Sequence, residues 1–249
     1  TRSRRVAHRH RQRAHALDDA VTVGGIRVTN PIRTAVDCAR TLDIDEALVI
    51  VNGVLDELAR PVPWRRAAGD AAIAEVRARM VALLDAEPRT RGNARARLVL
   101  DIADGWAESP LESLLLRVLL LLGLPRPRLQ DELVTPPRFR HYPDATLTWP
   151  MPDGSTWRAR FQADGRGKYE RAQNVLNERE ADIRATGDHL VNLHREHLTQ
   201  PGLRDATELI ASVVPPHIRA TLTVADRYRT LRERRDPLFV DSFPEILRC

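Results

Sequence analysis

Arg160-Phe161-Gln162-Ala163-Asp164-Gly165-Arg166-Gly167-Lys168-Tyr169 is the stretch on which the fold of this chain is read. It closes a β-like run over roughly 156–163, and Asp164-Gly165 is a turn dipeptide. A polar helix is expected from Tyr169 to about Thr186, with Gly187 as its C-terminal stop. Lys168 is the one lysine among 39 basic residues. Lysine is a compact point charge whose pKa shifts on burial, so it serves proton chemistry that arginine cannot. Side chains alternate along a strand, so Gln162 and Asp164 share a face at the strand end that leads to this lysine.

Working outward, His189-Leu190-Val191-Asn192-Leu193 reads as another strand and Glu196 to Val213 as a helix. Upstream, β-like stretches are expected at roughly 128–134 and 144–149. Before them, Ser109-Pro110-Leu111-Glu112 is a helix start, with Ser109 as N-cap, Pro110 at the first helical position and Glu112 placed for a capping box. That helix is apolar on most of its circumference up to Gly123, so it belongs in a core. Helix, three strands, helix, strand, helix is the order of a mixed α/β domain on a central sheet.

The first hundred residues read differently. Val21 to Val28 forms two short strands about Gly24-Gly25, and Thr29 or Asn30 then caps a helix that has Pro31 at its first position. Ala35, Val36, Ala39 and Leu42 recur at helical spacing, and a second helix over roughly 45–58 places Leu48, Val51, Leu55 and Leu58 on one face. Helices near 64–86 and 92–104 follow. The division is a mostly helical part over 1–105 and an α/β part over 106–249.

Composition bounds the function. Over 249 residues, 43% hydrophobic and 29% charged content is globular, with a core of Leu, Val, Ala and Ile because aromatics are only 4%. Two cysteines, Cys38 and Cys249, form no disulfide framework or zinc motif, which points to the cytoplasm. The apolar run Leu114–Leu124 is interrupted by Arg117 and is too short to span a bilayer. No apolar segment of signal-peptide type follows the basic N-terminus, and the chain opens without Met, as a piece of a longer protein would. A net charge of +5 and a pI of 9.9 permit nucleic-acid binding. No phosphate-binding loop, dinucleotide fingerprint or Ser/His/Asp signature is present.

Pro143-Asp144 opens one strand and Gln162-Ala163-Asp164 ends the next, so a strand pair can bring Asp144 and Asp164 to one end of the sheet. Two carboxylates there suit Mg²⁺, which takes one or two carboxylates plus water and substrate phosphate. Lys168 would assist the attacking water, and Glu112 would supply a third acid. The plainer reading is a turn dipeptide, a strand opener and a helix cap. The residues alone leave both open.

A family resemblance adds to this. Glu108-Ser109-Pro110-Leu111-Glu112-Ser113 with Gly123-Leu124-Pro125, then Pro143-Asp144 and Trp149, then the stretch 162–169, resemble very-short-patch-repair-like (Vsr-like) endonuclease domains. Leu176 to Glu180, Gly187, Val191 and Leu193 resemble the closing helix and strand of that domain. Gly25 to Asp37 resembles a segment of AbiEi-like antitoxins. The resemblance implies a restriction-endonuclease-like PD-(D/E)XK fold, a mixed sheet flanked by helices. It implies DNA cleavage with Mg²⁺ and Asp144, Gln162, Asp164, Lys168 and Glu112 as site positions, Asp144 and Asp164 holding metal. Arg166, Lys168, Arg179 and His194 would contact DNA, and a toxin is a further partner. At position 162 the family has Glu, and the amide here keeps the shape while losing the charge. Arg158 and Arg160 also stand where the strand is usually apolar. The chain is then a nuclease working with its remaining acids, a nuclease fold that binds DNA without cutting it, or one carrying a Glu→Gln change at this position. The different-class alternative is a non-enzymatic antitoxin-type regulator or interaction scaffold.

Other residues take plainer roles. His8, His10 and His15 are interleaved with arginine in a basic segment. His194 and His197 read as a helical surface pair, Trp149 and Trp157 as covers of a sheet edge, and Arg227 to Arg235 as a wet helix face.

Overall fold

The computed structural model describes residues 19–135, 139–164, 180–199 and 202–222. A hairpin of β1 (Ala20–Val23) and β2 (Ile26–Thr29) turns through Gly24 and Gly25, both left-handed. Asn30 then caps α1 (Pro31–Thr41), its side chain accepting from Arg33 N at 2.8 Å. α2 (Ile44–Ala59), a short 3₁₀ turn, α3 (Arg66–Ala86) and α4 (Asn93–Ile102) complete the helical part. Leu48, Val51 and Leu55 are buried as their spacing requires. Leu58, expected on the same face, is 39% exposed, since it lies in the last turn before Arg60 leaves the helix with φ 47°.

Two buried arginines hold these helices together. Arg33 donates to Asp37 at 3.0 Å and Glu87 at 2.6 Å, while Arg40 donates to Asp37 at 3.1 Å and Asn93 at 2.9 Å and pairs with Glu87 at 2.9 Å. Glu87 lies in the α3–α4 turn, so the network fastens that turn to α1. Gly92 there has φ 93°, and a Cβ on it would sit 2.4 Å from Arg40 O. Only glycine fits. At the other end of α4, Arg77 donates to the carbonyls of Leu100 and Ala103, and Arg126 to those of Asp101, Ile102 and Ala103. These are carbonyls that the helix end leaves unpaired, and the cations also suit the negative end of its dipole.

α5 (Pro110–Leu121) follows, with eight of its 12 residues buried. It packs on α2 and on the sheet. Asn52 donates to Ser113 Oγ at 2.9 Å and accepts from Asp104 N at 2.9 Å, and Arg117 reaches Asp45. Most of the buried apolar residues, from Ile32 to Ile218, therefore form one cluster that runs from the helices into the sheet.

The sheet is four-stranded and mixed, in the order β3 (Arg128–Leu129), β6 (Ala145–Pro150), β7 (Thr156–Asp164), β8 (His189–His194). β7 is antiparallel to β6 and parallel to β8. One strand was expected over 128–134, but Gln130 has φ 48° and breaks it. β4 (Leu133–Thr135) instead pairs with β5 (Phe139–His141), a strand too short for its pattern to register, in a separate hairpin. The helix expected over 196–213 is likewise two, α6 (Arg195–Leu198) and α7 (Leu203–Val213), because Thr199 is extended. α8 (Pro216–Thr221) ends the described chain. Of the helix expected over 169–186, residues 180–185 are helical and 169–179 lie outside the described residues. Among the described residues, no helix is long and apolar enough to cross a membrane.

On β7, Trp157, Ala159, Phe161 and Ala163 alternate onto the core face and are buried. Trp157 is thus part of the core rather than an edge cover. The other face carries Arg158, Arg160, Gln162 and Asp164.

Candidate functional site

The polar face of the sheet is built by register. Ala145 pairs with Phe161 in antiparallel strands, so Asp144, one residue before β6, falls beside Gln162. Gln162 pairs in turn with Asn192 on β8. On the far side Leu129 pairs with Ala145, which sets Gln130 next to Asp144. Four polar residues, Gln130, Asp144, Gln162 and Asn192, therefore lie in a row across one end of the sheet.

Each has a definite partner or a definite lack of one. Asp144 Oδ2 accepts from the backbone N–H of Ala163 at 2.6 Å, so the carboxylate serves as an acceptor for β7. Gln130 donates to Glu112 Oε2 at 3.2 Å. Glu112 also accepts from Ser109 Oγ at 2.8 Å and Glu108 N at 2.9 Å, while Ser109 Oγ accepts from Glu112 N. The expected cap is thus present, and Gln130 links it to the row. Asn192 Nδ2 donates to Glu180 Oε1 at 2.7 Å. Gln162 is 6% exposed, yet its Nε2 is buried without an acceptor, and Asn192 Oδ1 is buried without a donor. Such orphaned groups cost about 1–3 kcal/mol each.

Arg160, on the same face as Gln162, is buried and donates to Asp188 Oδ2 at 2.9 Å and Thr146 Oγ1 at 3.1 Å. This buried cation is accommodated because the Asp188 carboxylate and the Thr146 hydroxyl meet it. Asp164 ends β7 opposite His194. His194 caps α6: its backbone N–H donates to His197 Nδ1 at 3.0 Å, and its side chain caps the same turn. The pair expected on a helix surface is therefore a helix-start device. Lys168, Arg166 and Arg179 lie outside the described residues, as do His8, His10, His15 and the Arg227–Arg235 run.

The sequence pattern brings out Asp144, Gln162, Asp164 and Glu112, and it misses Gln130, Glu180 and Asn192. Asn192 did carry a signal, as the one amide within the strand His189-Leu190-Val191-Asn192-Leu193. Gln130 carried none, because its place follows from a left-handed backbone.

Two other groupings have structural explanations. His141 Nε2 lies 3.1 Å from Thr135 Oγ1 and 3.2 Å from Asp182 Oδ2. Both partners meet the same ring nitrogen, so the contact is a clasp between the β4–β5 hairpin and the 180–185 helix. A cavity of about 340 Å³ is lined by Arg66, Arg77, Arg126, Asp70, Asp101 and Asp104. Its arginines are engaged with backbone carbonyls, and Arg66 also stacks 4.1 Å over Trp106.

A nuclease reading implies Mg²⁺ at these donors. Among the described residues, no group of three or more His, Cys, Asp or Glu could hold a metal ion. The position beside Asp144 offers an amide with a buried N–H, which a cation does not tolerate. The amide at 162, as placed, does not suit a catalytic Mg²⁺ beside Asp144.

Residues 1–101 match the family model of the AbiEi antitoxin C-terminal domain. No curated protein and no solved structure matches the chain.

Proposed function

We propose that the protein is an antitoxin-type DNA-binding regulator that acts in the cytoplasm and does not cleave its DNA. The observation that carries this is the match of residues 1–101 to an antitoxin domain. The neutral amide at 162, where a nuclease of the resembled type has an acid, supports it from the other half of the chain. In this reading residues 106–249 form a Vsr-like PD-(D/E)XK domain kept as a scaffold, and residues 1–105 form the antitoxin module. DNA is one partner and a toxin protein the other.

The basic balance, +5 overall, supplies attraction to phosphate, and binding of that origin weakens steeply with salt. Lys168, Arg166, Arg179 and His194 remain the residues proposed to face DNA. Cleavage with Mg²⁺ would need Asp144, Asp164, Lys168 and Glu112 to act without a carboxylate at 162. Glu112, moreover, is engaged in the cap and with Gln130.

Fluorescence anisotropy of a labelled duplex, titrated with the full chain at 50 and 200 mM salt, tests the reading. Binding that weakens on the order of a hundredfold between those salts is expected. An affinity indifferent to salt, or no binding at 50 mM, overturns it.

A further inference from the structure

Gln162 is where the sheet end departs from cation chemistry. Its side chain is more than nine-tenths buried, and its Nε2 has no acceptor. It stands between Asp144, beside it across β6, and Asn192 on β8, with Asp164 two residues further along the same face. The amide of Asn192 is oriented by Glu180, since only Nδ2 can donate to that carboxylate. The guanidinium of Arg160 is held by Asp188 and Thr146. A buried N–H without an acceptor therefore lies in a polar row that includes a carboxylate. An ion arriving there would meet a donor hydrogen, and turning the amide over would offer one neutral oxygen.

We propose that Gln162 closes this sheet end to divalent cations, and that Gln162→Glu opens a site for Mn²⁺ or Mg²⁺ shared between positions 144 and 162. The substitution keeps the length and branching of the side chain while making it anionic. Unpaired in a buried position, the new carboxylate is costly to hold, and a cation bridging it to Asp144 removes that cost. The inference rests on the non-cleaving reading only in taking residue 162 as a native neutral position. Ion uptake is read without DNA, so failure of DNA binding and failure of this inference are separate results.

The test uses the full chain as wild type, Asp144→Asn, Gln162→Glu, and Gln162→Glu combined with Asp144→Asn. Asparagine at 144 can still accept from Ala163 N, so it removes charge with little change of shape. Each protein is titrated with Mn²⁺, with free ion followed by electron paramagnetic resonance, and melted in chelator and in Mn²⁺. Gln162→Glu is expected to melt below wild type in chelator, to bind one Mn²⁺, and to regain several degrees in roughly 1 mM ion. Wild type should not shift, and the double variant should bind at least about tenfold more weakly than Gln162→Glu. A Mn²⁺ site in wild type that Asp144→Asn abolishes would overturn the proposal. So would a folded Gln162→Glu that takes up no ion, or one that stays unfolded at saturating Mn²⁺.

Discussion

Glu87 shows how much one side chain decides. Burial pushes its carboxyl up, but the hydrogen bond and charge of Arg33, joined by Arg40, outweigh this and hold it below the ordinary value of 4.5. A depressed carboxyl stabilises the fold above its unfolded pKa, and that stability is lost as pH falls from 4.5 through the lower folded value. Melts of wild type and Glu87→Gln from pH 7 to pH 3 should therefore converge below 4.5. A constant gap across that range contradicts the assignment. At pH 7, Glu87→Ala leaves Arg33 and Arg40 short of a partner and should cost about 3 kcal/mol. Gly92→Ala should cost at least about 2 kcal/mol, because the added Cβ meets backbone at 2.4 Å and the residue is left-handed. Denaturant unfolding measures both, and a Gly92→Ala variant within 0.5 kcal/mol of wild type, a roughly neutral change, would contradict that packing.

At the scale of elements, what was legible follows from local chemistry. The Asn30-Pro31 and Ser109-Pro110 starts, the periodicity of α1 and α2 and the buried character of α5 are each set within a few residues, and the structure has them, with Leu58 at the end of α2 the exposed exception. The left-handed break at Gln130, the three-residue strands β4 and β5 and the extended Thr199 are each too short to leave a readable periodicity, so no local pattern carried them. The same division runs through the candidate site. A strand pair could bring Asp144 to the 162–164 segment, whereas Gln130 and Glu180 enter only through tertiary hydrogen bonds. Glu112 was read both as a cap and as an acid, and its bonds to Ser109 Oγ and Glu108 N place it at the helix start. Glu112→Ala should accordingly cost about 1–2 kcal/mol in stability, as loss of a cap does, with DNA affinity at fixed salt unchanged. A stable variant with altered affinity would instead put Glu112 at the nucleic-acid surface.

Across the whole molecule, α5 joins the helical part to the sheet. Its buried face belongs to one apolar cluster, and Asn52, Ser113 and Asp104 close a buried hydrogen-bond network at the junction. Unfolding should then be a single transition in which circular dichroism and tryptophan fluorescence coincide, with Asn52→Ala lowering it as one unit. Two separated transitions would show that the parts melt apart. The same junction gives the non-cleaving reading a physical form: a sheet end with a neutral amide in its row, fixed to an antitoxin-like helical part. Supercoiled plasmid incubated with the full chain in low salt and Mg²⁺, and run on a gel before and after removal of protein, tests this most directly. The expected result is plasmid retarded while protein is bound and still fully supercoiled afterwards. Nicked or linear plasmid at protein levels that saturate binding, absent when Asp144→Asn is used, would contradict it.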